Sequence, residues 1–92
     1  MATYLLFGKY SMESIQEISA TRTEKAMELI KENGGEFKSG YALLGEKDIV
    51  VVVDLPGIEQ AIKVSVGLAK MLGIAFTTSP AVSLEQFDQI VG

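Results

Sequence analysis

The run Ile49-Val50-Val51-Val52-Val53 constrains this chain more than any other feature. β-Branched side chains pack well on a pleated surface, so the run reads as a strand. Successive side chains of a strand point to opposite faces, and none of these five is polar, so both faces are apolar. Such a strand normally lies between two covering layers. The chain has 92 residues, enough for one small core and too few for two, so residues 1–92 form a single domain.

The rest of the sequence says what the layers are. "TYLLFGKY" reads as a strand with Thr3, Leu5, Phe7 and Lys9 on one side and Tyr4, Leu6, Gly8 and Tyr10 on the other. In "SMESIQEI", Met12, Ile15 and Ile18 fall at helical spacing over a short turn or two. Thr21 and Glu24 form a capping-box pattern, and Ala26, Met27 and Ile30 continue an apolar stripe to Asn33-Gly34-Gly35, which end the helix. "EFKSGYALLG" is a second strand, with Phe37, Ser39, Tyr41 and Leu43 alternating against Lys38, Gly40, Ala42 and Leu44. Gly45-Glu46-Lys47 connects it to the valine strand as a hairpin.

Pro56 and Gly57 open a helix that places Ile58, Ala61, Ile62, Ser65, Leu68, Ala69 and Leu72 on one face and stops at Gly73. "IAFTTSPAV" is a fourth strand whose Pro80 suits an edge. Ser83 and Gln86 make a further capping box, with Val82 and Phe87 as a hydrophobic staple, so residues 84–91 close the chain as a short helix. The order is strand, helix, strand, strand, helix, strand, helix. This is an α+β, ferredoxin-like βαββαβ pattern: a four-stranded antiparallel sheet with its main helices on one face. No linker, internal repeat or low-complexity segment interrupts it.

In that fold the valine strand is central and the helices cover one face. Half of Ile49, Val50, Val51, Val52 and Val53, with Leu6 and Leu44 expected on the same side, would face water over roughly several hundred Å². The economical cover is an identical chain, so the sheet face is expected to form a homodimer or higher homo-oligomer. The plainer alternative is that single outward valines are tolerated on a strand that favours them.

Composition narrows the chemistry. Hydrophobic residues make up 48% and charged residues 22%, an ordinary globular balance. The net charge of −4, with Arg22 the single arginine, argues against a nucleic-acid partner. No apolar run is long enough to span a membrane, and the N-terminus has no basic n-region or cleavage site, so a cytoplasmic location is expected. With no cysteine and no histidine, disulfides, thiolate or imidazole metal sites, and His-dependent triads are excluded. Glu13, Glu17, Glu24, Glu28 and Glu32 have the spacing of solvated helix faces, and Met12, Met27 and Met71 that of gap-filling core residues. No metal and no cofactor is expected.

"GYALLGEKD" at residues 40–48 and the valines after it resemble the GYD-domain family, a likeness that extends through the "DLPG" turn and the terminal "LEQF" helix. The resemblance implies a ferredoxin-like fold related to dimeric α/β barrels. The family's Gly, Tyr and Asp pattern maps to Gly45, Lys47 and Asp48, so lysine stands where the family has an aromatic ring. A turn explains the outer two residues physically: glycine accepts positive φ, and aspartate accepts hydrogen bonds from turn amides.

The polar residues expected near a cleft between sheet and helices are Tyr4, Lys9, Tyr10, Arg22, Lys38 and Tyr41, with Thr77 or Thr78. They are the candidates for binding a small molecule, in a binding or regulatory module. The barrel resemblance implies an alternative, a cofactor-independent oxygenase or isomerase acting on an aromatic or enolic compound, with Tyr10 and Tyr41 orienting it and Lys9 or Arg22 stabilising its anion. Tyrosines that serve only as core or interface residues with a wet hydroxyl are the commoner arrangement.

Overall fold

A computed structural model describes residues 1–92. The elements in chain order are β1 (Ala2–Lys9), α1 (Met12–Gln16), α2 (Ala20–Glu32), β2 (Glu36–Ala42), β3 (Ile49–Leu55), α3 (Ile58–Leu72), β4 (Ala75–Ala81) and α4 (Leu84–Val91). The strands form one antiparallel sheet in the order β2-β3-β1-β4, the ferredoxin-like arrangement, with the valine strand central and Pro80 on the β4 edge. Helices α2 and α3 pack side by side on one face. The smallest dimension of the molecule is 18 Å, which is the thickness of one sheet and one helix layer. No helix is long and apolar enough to cross a membrane.

Strand pairing sorts the valines. Val53 lies opposite Tyr4 and Val51 opposite Leu6, and these four face the helices. There Leu6, Val53 and Leu55 meet Ile30 of α2 and Val64 and Leu68 of α3, all almost completely buried. Val52 lies opposite Leu5 and Val50 opposite Phe7 on the other face, away from α2 and α3. Of the four valines expected at an interface, Val51 and Val53 therefore belong to the core, and only Val50 and Val52 are available. Leu6 is likewise a core residue at 0% exposure, and Leu44 lies in the β2–β3 connection; neither joins the outer face as expected.

Other local expectations are corrected. Helix α2 is capped by Ser19, whose Oγ accepts from the Arg22 N–H at 3.1 Å, so Thr21 lies inside the first turn. The earlier start gives Thr23 Oγ1 a partner in the Ser19 carbonyl and lets Arg22 Nη1 donate to the Ser14 carbonyl at 2.9 Å. A reciprocal capping box forms instead at α1, between Ser11 and Ser14. In β2 a bulge between Phe37 and Ser39 breaks the alternation, so Phe37 and Gly40 face inward while Ser39 and Tyr41 face outward.

Helix α3 buries Ala61, Val64 and Leu68, a stripe rotated from the expected one, and leaves Ile58 and Ile62 exposed beside β4. Helix α4 is capped by Ser83, whose Oγ accepts from the Gln86 N–H. Its apolar stripe, Leu84, Phe87, Ile90 and Val91, is exposed along its whole length.

Candidate functional site

The inner face of the sheet is not filled at its β2 side. Gly40 and Ala42 of β2 and Ala26 of α2 are too small to close the space between helix and sheet, and a cleft of about 440 Å³ opens there. This is within the range of roughly 300–1,000 Å³ usual for small-molecule sites. Thirteen of its 17 lining residues are hydrophobic. Phe37, Ile49, Val51, Leu68, Leu72 and Phe76 make its walls, and Ile30 joins it to the core.

The polar end is built from the start of α2. Arg22 and the Tyr10 ring lie together, the guanidinium carbon 5.9 Å from the ring centroid, within cation–π reach. The bond from Arg22 Nη1 to the Ser14 carbonyl holds the guanidinium in place. Ser19 and Thr23 also line this end, with hydroxyls engaged in the helix start. Tyr41 borders the cleft from β2, its ring turned to the outer face of the sheet and 61% exposed. No carboxylate and no lysine lines the cleft.

Of the sequence candidates, the structure thus brings Tyr10 and Arg22 together, while Tyr41 borders the same cleft from β2. Tyr4 is a core residue and touches a second, shallower hollow of about 230 Å³ beside Ile58, Ile62 and Pro80. Thr78 lies in that hollow too, its Oγ1 bonded to Ser65 Oγ at 2.9 Å. Lys9 and Thr77 are exposed on the far side of the sheet. Lys38 is also on that side, 3.7 Å from Asp54 Oδ2 and 3.8 Å from Glu36 Oε1, while Asp54 Oδ1 accepts from Thr3 Oγ1. Sequence reasoning missed Ala26, Gly40 and Ala42, the residues that create the space. The visible signal was a Gly and an Ala at alternate positions of a strand, Gly40 and Ala42.

Gly45, Lys47 and Asp48 do not line the cleft. Gly45 has φ 133°, a conformation that favours glycine, so its expected turn role holds. Asp48 does more than the local turn bonds expected of it. Its Oδ2 accepts from the Tyr10 N–H at 2.7 Å, its N–H donates to the Gly8 carbonyl at 2.9 Å, and its carbonyl accepts from the Leu43 N–H at 2.8 Å. The aspartate ties the β2–β3 hairpin to the end of β1, from which Tyr10 enters the cleft.

A ferredoxin-like sheet with one apolar, ligand-sized cleft under its first long helix defines a small α+β domain of a recognisable kind. The chain belongs to the GYD domain family, whose model matches residues 4–91. No curated protein and no solved structure matches it.

Proposed function

We propose that this protein is a homo-oligomeric small-molecule-binding or regulatory domain, its copies meeting through the uncovered sheet face. The observation that carries the binding reading is the cleft itself: about 440 Å³ of apolar space at one end of a small core, with polar groups confined to its mouth. That is the usual make-up of a ligand site, apolar walls for affinity and a few placed polar groups for orientation. Binding is favoured over turnover by the lining, whose titratable groups are Tyr10, Tyr41 and Arg22; a cofactor-independent oxygenase or isomerase needs a base to take a proton, and the lysines and carboxylates lie elsewhere.

Two features support assembly. Leu5, Phe7, Val50 and Val52 form an apolar strip on a sheet face without a covering layer. Helix α4 presents an apolar stripe to solvent and has no extensive packing on the other elements of its own chain. Native mass spectrometry of freshly purified protein tests both readings. Expected is a multiple of 9.9 kDa carrying an added small mass. A bare monomer that takes up no ligand would overturn them.

A further inference from the structure

Arg22 is the only formally charged side chain lining the cleft, and it has no carboxylate within ion-pair distance. In a chain of net charge −4, an arginine half-buried beside apolar walls and left without a counter-ion is an unusual arrangement. Its side chain is nonetheless held by two contacts: Nη1 donates to the Ser14 carbonyl and the Tyr10 ring lies 5.9 Å away. A guanidinium carries five N–H donors, of which this contact uses one. The remainder suit the two oxygens of a carboxylate.

We propose that the cleft binds an amphipathic monocarboxylate, with the carboxylate on Arg22 and an aromatic or branched aliphatic body against Phe37, Val51, Leu72 and Phe76. The proposal rests on the small-molecule-binding reading and names the ligand class for the same site. One cation compensates one negative charge, so a phosphate monoester or a dicarboxylate would leave a second charge against apolar walls. A phenol or enol with an ordinary pKa is neutral near pH 7 and gains little from a guanidinium, whereas a carboxylic acid is ionised there. The first turn of α2, which contains Arg22, holds no acidic residue to oppose an anion.

The test compares 2-naphthoate with 2-naphthamide, which match in shape and differ in charge, by calorimetric titration of the wild-type protein and of Arg22→Gln. Glutamine keeps an N–H donor for the Ser14 carbonyl, and circular dichroism checks that the variant is folded. An Arg22→Lys variant, which retains the charge and loses the fork, is a second probe. The wild type is expected to bind naphthoate about tenfold or more tighter than naphthamide, a preference that Arg22→Gln abolishes and Arg22→Lys retains in part. Equal binding of both compounds, unaffected by Arg22→Gln, would overturn the carboxylate assignment and leave the apolar binding site standing. Binding of neither would overturn both.

Discussion

Asp48 Oδ2 accepts a 2.7 Å hydrogen bond from the backbone N–H of Tyr10, across 38 residues of sequence. The contact joins the turn of one hairpin to the segment that sets the polar end of the cleft. A carboxylate bonded to a half-buried amide contributes more than a neutral pair, and removal leaves the amide without this partner. Asp48→Ala is expected to destabilise the fold by about 1–3 kcal/mol, read as a lower urea midpoint at unchanged slope. Asp48→Asn, which keeps an acceptor oxygen, is expected to lose less.

Gly8 sits where three side chains converge. A Cβ there would lie 2.8 Å from Phe76 Cε1, 2.9 Å from Ile49 Cγ2 and 3.2 Å from Ile74 Cδ1. Gly8→Ala is therefore expected to destabilise by about 1–3 kcal/mol through overpacking, measured by chemical denaturation. Phe76 and Ile49 also line the cleft, so ligand uptake should fall with it.

Adjacent valines should respond oppositely to the same substitution. Val53 is 0% exposed in the core, and Val53→Lys is expected to cost more than about 4 kcal/mol and abolish the folded circular-dichroism spectrum. Val52 faces the other way, beside Leu5, and Val52→Lys is expected to keep the spectrum while lowering the particle mass in sedimentation. An unchanged mass would count against assembly through the sheet.

Phe87 tests the role of α4. Its ring is half-exposed on an apolar stripe that has no extensive packing within the same chain. Phe87→Ser is expected to change the stability of the isolated chain by no more than about 0.5 kcal/mol. A fall in particle mass at equal concentration would show that α4 contacts another copy; a large loss of stability in a chain that is already monomeric would contradict its unpartnered position.

The order of elements was legible in the sequence because it depends on local signals: alternation in β1, the valines of β3, glycine at the helix ends and Pro80 at an edge. The cap of α2 was misread because serine and threonine both cap, and Ser19 precedes Thr21 by only two residues. The β2 bulge was invisible because a one-residue insertion leaves no compositional mark, yet it reverses which residues after Phe37 face the core. Among the site candidates, tyrosines and cations could be named from the sequence, but their grouping could not.

The class of fold, the double-faced apolar strand and the absence of thiol and imidazole chemistry each follow from residue type and short-range periodicity alone. Packing places Tyr10 beside Arg22 in one cleft, while Lys9 and Lys38 lie across the sheet from it. It also decided that Gly40, Ala42 and Ala26 leave the space between them. The reason is geometric: a cleft is set by which small residues meet across elements far apart in the chain, and strand register and helix rotation, which bring them together, are properties of the packed whole.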